Sequence, residues 1–217
     1  MYDNCMENKD IGKVSCAQAD ECIKKTDEEL VILVKKNSEC FGCLISRYEN
    51  KMIRYIRRIS AVNEEMAEDI AQNIFLKVYI NLNQFDPKLK FSSWVYRIAH
   101  NETINYWRRN SKGKQPDVSW DQHESLKNII KDSFNTEQRV YQKITNEEVM
   151  VVINQLENKY REVIILSYIE GKNYQEIADI LNKPLGTIGT LINRGKKILA
   201  KKLKENGIDE NVAVINN

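Results

Sequence analysis

The sequence has little of what strands and membrane spans require. Its 217 residues include only three prolines and eight glycines. Apolar residues recur at spacings of three and four rather than two, which predicts helices and not strands. The longest unbroken apolar runs, at 30–34 and 149–153, are far shorter than the roughly 20 residues that a membrane helix needs. We therefore expect an all-α protein without a transmembrane helix.

Residues suited to catalysis are also scarce. The chain has two histidines, no glycine-rich phosphate loop and no nucleophile placed beside a base, so it matches no common catalytic pattern. The first 24 residues are rich in Asp and Glu and lack the basic-then-apolar order of a secretory signal. We expect a cytoplasmic protein that is not an enzyme and has no cofactor.

Cysteine is confined to the N-terminal fifth of the chain, at Cys5, Cys16, Cys22, Cys40 and Cys43. Because the number is odd and no other part of the chain can pair with them, a disulfide scaffold is not expected. Cys40 and Cys43 form a CxxC pair, but no second pair or nearby histidine completes a zinc site, so no metal is predicted. A thiol or metal sensor built on these cysteines is an alternative that bound zinc would reveal.

Helical periodicity divides the chain into two small domains. A cysteine-containing extension over residues 1–25 precedes a first domain over 26–110, where Thr26 and Glu29 have capping-box spacing. Residues 111–134 mix Ser, Lys, Gly, Gln, Pro and Asp, which predicts a flexible linker. A second helical domain covers 135–204, and 205–217 form a tail. The net charge is only +2, but basic residues cluster in both domains, which favours anionic partners.

Residues 173–199 have the pattern of a helix-turn-helix. Asn173 and Glu176 have the spacing of a capping box, and the helix that they open has four candidate core residues before Pro184 marks the next helix start. Those four are Ile177, Ala178, Ile180 and Leu181. In this motif the second helix enters the major groove. A plain helical hairpin is the alternative, and the lysines that follow favour DNA.

The second helix of this motif contains features that suit close contact with DNA. Its first residues would face base edges, while lysines and helix-end amides hold phosphates. The base-facing candidates are Leu185, Thr187 and Thr190. Three glycines in the same helix, Gly186, Gly189 and Gly195, lower its stability by up to about 1 kcal/mol each. Close approach of the backbone to phosphate is one reason for such small residues.

A helix over residues 90–109 has aromatic side chains on two faces. At 100° per residue, one face carries a core stripe of Phe91, Trp94, Val95 and Ile98. The opposite face carries Tyr96, His100, Thr103 and Trp107, interleaved with Arg97, Arg108 and Arg109. Exposed aromatic and guanidinium groups in this pattern predict a platform on which unpaired bases stack. The alternative is a helix packed between two neighbours, which is the more common meaning of an aromatic stripe.

The preceding helix has an unusual polar flank. Its core stripe is Met66, Ile70, Ile74 and Val78. Asp69, Gln72 and Asn73 lie a turn apart on one flank, beside Leu76 and Tyr79, which that stripe does not need. Such a face predicts a protein partner. A solvated face with incidental apolar residues is the alternative.

Three segments of the sequence are DIAQNIFLKVY, FDPKLKFSSWVYRIAHNETINYWRR and YREVIILSYIEGKNYQEIADILNKPLGTIGTLINRGKKIL. They resemble segments of the extracytoplasmic-function sigma factors, the small two-domain specificity subunits of bacterial RNA polymerase. The resemblance covers residues 27–204. It implies binding to core polymerase through Asp69, Gln72, Asn73 and Leu76. Many family members have Glu where this chain has Asn73, so that contact differs. The resemblance also implies an anti-sigma partner, often membrane-bound.

The same resemblance implies that the first domain captures the melted −10 promoter element. The loop over 81–90, with Phe85, Lys88 and Lys90, matches the family's pocket for a flipped base. Asn101, Asn105, Arg108 and Arg109 match its DNA-facing helix positions. In that context the stacking interpretation of Tyr96, Arg97, His100 and Trp107 becomes the better one.

For the second domain the resemblance implies recognition of the −35 element. The residues expected at that DNA are Lys183, Leu185, Gly186, Thr187, Thr190, Asn193, Arg194, Lys196 and Lys197. Family members commonly have Lys and Arg where this chain has Gly189 and Leu191, so two contacts differ. A stand-alone helix-turn-helix regulator that binds palindromic DNA without polymerase is the alternative function.

Overall fold

The structure, a computed structural model, describes residues 24–86, 89–110 and 148–208. Every regular element in these ranges is helical, so the all-α prediction is confirmed there. The helices are α1 (Asp27–Lys36), α2 (Phe41–Ser60), α3 (Glu64–Asn81), α4 (Phe91–Asn110), α5 (148–154), α6 (Asn158–Ile164), α7 (Tyr174–Leu181) and α8 (Leu185–Glu205). Short 3-10 turns at Ser38–Cys40 and Leu82–Gln84 precede α2 and follow α3, and α6 continues as a π-helix over Ile165–Ile169. None of the described helices is both long and apolar enough to cross a membrane.

Side-chain caps mark where several helices begin. Thr26 accepts from the Glu29 N–H at 3.2 Å, and the Glu29 carboxylate accepts from the Thr26 N–H at 2.7 Å. Asn173 and Glu176 form the same reciprocal pair at the start of α7. Each pair satisfies two backbone groups that would otherwise lack partners inside the helix. Both predicted capping boxes are therefore confirmed.

The N-terminal domain packs α2, α3 and α4 around one core, and α1 contacts α2 and α4. The predicted α3 stripe is buried at Ile70, Ile74 and Val78, while Met66 is half-buried. The Glu28 carboxylate on α1 accepts from the Phe91 N–H at 3.0 Å and so fastens α1 to the start of α4. The other helices contribute Tyr48, Met52, Tyr55, Ile56, Ile59, Val95 and Ala99 to the core. Burial of each large apolar side chain stabilises the domain by about 1.5–3 kcal/mol.

The two cysteines in the described ranges are in different states. Cys43 is buried in α2 and is disulfide-bonded, whereas Cys40 is a half-buried free thiol. The two members of the CxxC pair are therefore not joined to each other. Within the described ranges, no group of three or more His, Cys, Asp or Glu side chains is arranged to hold a metal ion. Cys5, Cys16 and Cys22 lie outside those ranges.

In the C-terminal domain, α6 and its π-helical extension pack against α7 and α8. The four predicted core residues of α7 are all buried. The chain then turns at Asn182, whose φ of 50° lies in the left-handed region that Asn tolerates better than most residues. Pro184 precedes α8, where its missing N–H interrupts no helical bond. Ile188, Ile192 and Leu199 form the buried side of α8.

Candidate nucleic-acid interface

The four residues predicted to bind polymerase form one exposed strip on α3, which we call the α3 surface. Asp69, Gln72, Asn73 and Leu76 are all exposed, and Leu76 retains 57% of its accessible area. The Asn73 side-chain amide donates to the Asp69 backbone carbonyl at 2.8 Å, so the Asn73 side chain lies along the helix. The structure thus brings these residues together on a surface that no other described element covers.

Sequence reasoning missed Ile80, which extends the α3 surface. It is 64% exposed, one helical turn beyond Leu76. Tyr79 beside it is 45% exposed, and its ring also contacts Phe41 with centroids 5.0 Å apart. An isolated exposed apolar residue has no special meaning, but three at helical spacing form a patch that favours a protein partner. The i, i+4 spacing of Leu76 and Ile80 was the signal that could have revealed it.

The second set of aromatic residues on α4 does not form an exposed platform, and that expectation is wrong for this arrangement. Tyr96 is only 3% exposed and Thr103 is buried, while His100 and Trp107 are half-buried. The reason is that Tyr96 and His100 lie against Tyr55 of α2, and that the C-terminal domain packs against α4 through Glu170, Lys172 and α7. The first half of α4 is therefore a helix between two neighbours, which was the alternative interpretation.

Tyr96 takes part in the contact between the two domains. Its hydroxyl donates to the Glu170 carboxylate at 2.6 Å, and its ring packs edge-on against Tyr55 with centroids 5.0 Å apart. The Lys172 ammonium lies 4.4 Å from the centre of the same ring. Burial, together with the negative charge of Glu170, raises the pKa of Tyr96, so the hydroxyl stays protonated and remains a donor.

His100 is held as a neutral ring in the same region. Its Nδ1 lies 3.3 Å from the Tyr55 hydroxyl. Burial, with a smaller contribution from the positive charge of Lys183, lowers the pKa of His100 to about 4. Near neutral pH this side chain therefore adds no positive charge to the face of α4.

The predicted −10 loop is only partly available to DNA. Phe85 is buried, with its ring 5.4 Å from that of Phe91 and 5.3 Å from that of Trp94, so its predicted contact with DNA is not possible without rearrangement. Lys90 is exposed and forms an ion pair with Glu176 at 2.9 Å. Lys88 lies outside the described residues.

The second half of α4 is the open part of this helix. Asn101, Arg108 and Arg109 are exposed, and Asn105 and Arg97 are half-buried. Trp107 is partly covered because its indole N–H points to the Ser60 carbonyl at 3.4 Å. Polar amides and two guanidinium groups are thus left facing outward on the second half of α4.

The exposed side of α8 contains the predicted −35 residues. Seven of them are exposed on the helix surface, while Lys196 and Lys183, which lies in the turn before α8, are half-buried. The seven are Leu185, Gly186, Thr187, Thr190, Asn193, Arg194 and Lys197. The opposite side of the helix is the buried one, so the structure presents this set as one outward-facing surface.

The three glycines of α8 have different surroundings. A Cβ at Gly186 would meet no atom within 4 Å, and one at Gly189 would lie 3.9 Å from the ring of exposed Tyr174. A Cβ at Gly195 would instead come within 3.1 Å of the Ile164 side chain. Gly195 is therefore explained by packing against α6 rather than by DNA. Internal packing gives no such reason for Gly186 or Gly189.

Family comparison adds to this geometry. The model of Sigma-70 region 2 matches residues 44–113, and that of Sigma-70, region 4 matches residues 146–199. The chain is 36% identical over 178 residues to the ECF RNA polymerase sigma factor SigW of Bacillus subtilis, covering 79% of this chain and 92% of that protein. It is 28% identical over 185 residues to the ECF RNA polymerase sigma-E factor of Haemophilus influenzae, covering 82% and 96%.

Two solved structures share the fold. CnrH in complex with the cytosolic domain of CnrY superposes with a TM-score of 0.61 at 22% identity, covering 84% of this chain and 99% of that one. The sigma factor RpoE in complex with the anti-sigma factor NepR from Bartonella quintana superposes with a TM-score of 0.58 at 20% identity, covering 76% and 96%. At these identities the likeness concerns the fold.

Proposed function

Because the chain belongs to the extracytoplasmic-function sigma factors of bacterial RNA polymerase, we propose that it binds core polymerase through the α3 surface and reads promoter DNA with α4 and α8. The protein acts as a specificity subunit and not as an enzyme, so promoter opening draws on binding energy alone. Its place of action is the cytoplasm, where polymerase and DNA are found.

One observation carries the DNA part of the proposal: the outward side of α8 combines small, polar and cationic residues, while its inward side is apolar and buried. Leu185 and Thr187 begin the helix, where a major-groove reader meets base edges. Arg194 and Lys197 follow along the same exposed side and are placed to contact phosphates. Gly186 and Gly189 leave the backbone free to approach the duplex closely.

The −10 element is read by the second half of α4. The outward amide of Asn101 suits hydrogen bonding to base edges, and Arg108 and Arg109 suit the phosphates of a single strand. The first half of α4, with Tyr96 and His100, becomes available only if the C-terminal domain moves away. Base stacking on these rings therefore belongs to an opened form of the protein.

The α3 surface is the polymerase-binding site. Its carboxylate and amide groups border an apolar patch of Leu76, Tyr79 and Ile80, a combination that fits the rim and centre of a protein interface. A separate partner is an anti-sigma protein, since the sigma factor RpoE of similar fold was solved in complex with the anti-sigma factor NepR. That partner holds the chain inactive and, if membrane-bound, keeps it at the inner membrane face.

The direct test adds the purified protein to bacterial core RNA polymerase and fragmented host DNA, and maps the 5′ ends of the transcripts. We expect defined start sites that share two spaced upstream elements and that are absent without the protein. Affinity for palindromic duplex DNA together with no binding to polymerase would contradict the proposal and support the stand-alone regulator.

A pair of double variants separates the two surfaces. Asp69→Ala with Gln72→Ala should weaken binding to core polymerase without changing affinity for duplex −35 DNA. Arg108→Ala with Arg109→Ala should keep polymerase binding and reduce promoter opening, measured by permanganate reactivity of unpaired thymines. All four residues are exposed, so loss of folding is not expected. The surface assignments are wrong if both double variants bind polymerase and open promoters like the wild type.

A further inference from the structure

The C-terminal domain covers the first half of α4 through a set of polar contacts, which we call the closing contact. Glu170 forms an ion pair with Arg58 at 2.7 Å and accepts from the Tyr96 hydroxyl at 2.6 Å. Glu176 pairs with Lys90 at 2.9 Å. Lys172 of the same segment donates to the Ser92 hydroxyl at 3.1 Å. In both ion pairs the carboxylate comes from the C-terminal domain and the cation from the N-terminal domain.

Burial makes the carboxylate of Glu170 strongly dependent on these partners. Its side chain is 8% exposed, and a carboxylate removed from water is unfavourable unless charged or hydrogen-bonded groups surround it. Arg58 and Tyr96 provide both kinds of partner. Glu176 is similarly enclosed, at 12% exposed, and also accepts from the Asn173 N–H at 2.8 Å. The contact is therefore a specific fit and not a chance approach of two surface charges.

The groups on the N-terminal side of the closing contact are those that suit nucleic acid. A guanidinium, an ammonium and a tyrosine hydroxyl bind phosphate oxygens by the same hydrogen bonds that they make to carboxylates. The Tyr96 ring, now under the Lys172 ammonium, has the face on which a base can stack. The segment 170–176 therefore occupies groups of the kind that bind nucleic acid.

We propose that Glu170 and Glu176 act as an internal substitute for promoter DNA, occupying Arg58, Lys90 and Tyr96 and keeping the free protein closed until polymerase separates its two domains. This inference rests on the proposed function of α4 as the −10 reader. The α3 surface stays exposed in the closed form, so polymerase has access before the domains part. Closure keeps the free protein from occupying single-stranded DNA elsewhere.

The test compares a variant that loses the two carboxylate charges with one that loses the same charge elsewhere. Glu170→Gln with Glu176→Gln removes both ion pairs, and Gln at position 176 still suits a capping box. The control, Asp179→Asn with Glu205→Gln, makes the same charge change at exposed sites in the same domain. Each full-length protein is assayed without polymerase for binding to fluorescent single-stranded oligothymidine, and small-angle X-ray scattering gives its radius of gyration.

We expect the Glu170/Glu176 variant to be more extended than the wild type and to bind oligothymidine about tenfold more tightly, because apparent affinity scales with the fraction of open protein. The control should remain compact and show only the small gain that its charge provides. Glu170→Lys, which places a like charge beside Arg58, should open the protein further, with Glu205→Lys as its control.

Two outcomes would overturn the inference. If both variants at position 170 stay as compact as the wild type and bind no more tightly than their controls, the closing contact does not hold the domains together. If they become more extended without binding oligothymidine more tightly, the contact only holds the two domains together and does not substitute for DNA. Failure of the proposed function would look different, because wild-type protein would then start no transcripts with core polymerase.

Discussion

His100 offers a quantitative test of the closed arrangement. Its ring lies next to Tyr55 and within the electrostatic range of Lys183, and burial lowers its pKa from 6.5 to about 4. The folded protein therefore binds fewer protons than the unfolded chain between these two pH values. The contribution of His100 to the free energy of unfolding is fully present above pH 6.5. It decreases as the pH is lowered towards 4 and is absent below that.

The size of this effect follows from the two pKa values. At 1.36 kcal/mol per pKa unit, the full loss is at most about 3 kcal/mol, and at about pH 5 it amounts to roughly 2 kcal/mol. Other groups titrate in the same range, so the comparison is with His100→Asn, whose amide can face Tyr55 but cannot be protonated. Subtraction of the two pH profiles isolates the contribution of His100.

The assay is urea unfolding of both proteins, followed by circular dichroism, from about pH 7.5 to about pH 4.5. A proton NMR titration of the His100 ring, assigned by its absence in His100→Asn, gives the pKa directly. We also expect the Glu170→Gln, Glu176→Gln variant to raise the pKa of His100 towards 6.5, because opening exposes the ring and removes Lys183. A wild-type His100 that titrates near 6.5, or a difference between profiles below about 0.5 kcal/mol, would refute the reasoning.

Four further predictions concern α8 and the first capping box. Gly189→Ala should stabilise the protein by up to about 1 kcal/mol, because an added Cβ has room in the helix. It should also weaken binding to −35 duplex DNA. Tighter or unchanged binding would count against a close approach of the α8 backbone to the DNA. Gly195→Ala should show a smaller gain or a loss in urea unfolding, since its Cβ meets Ile164 at 3.1 Å. Arg194→Ala with Lys197→Ala should reduce the salt dependence of duplex binding by about two phosphate contacts, and an unchanged salt slope would exclude both residues from the interface. Thr26→Ala should lower the free energy of unfolding by about 1 kcal/mol, with Thr26→Ser as a control that keeps the cap.

Local physics explains why much of the fold could be predicted. A capping box acts between residues three apart, so Thr26 with Glu29 and Asn173 with Glu176 are visible in the sequence itself. Helical periodicity likewise separates the buried Ile70 and Ile74 from the exposed Asp69 and polar neighbours on α3. The base-facing residues of α8 were predicted from the helix-turn-helix pattern, and the other residues of its outward side from the family resemblance.

Other features depend on neighbours that are distant along the chain. Tyr96 and Glu170 are 74 residues apart, and no periodicity within α4 shows that a second domain will bury that ring. Phe85 was placed in a DNA pocket by resemblance, but its packing against Phe91 and Trp94 makes it part of the core. The disulfide state of Cys43 is likewise a property of three-dimensional neighbours and not of its CxxC spacing.

The sequence by itself determined the helices, their starts, the helix-turn-helix and the polar surface of α3, because each depends on residues within one or two helical turns. Tertiary structure alone decided that both aromatic faces of α4 are covered, and why Gly195 differs from Gly189. Burial depends on what packs against a side chain, and at Tyr96 that is a carboxylate from the other domain.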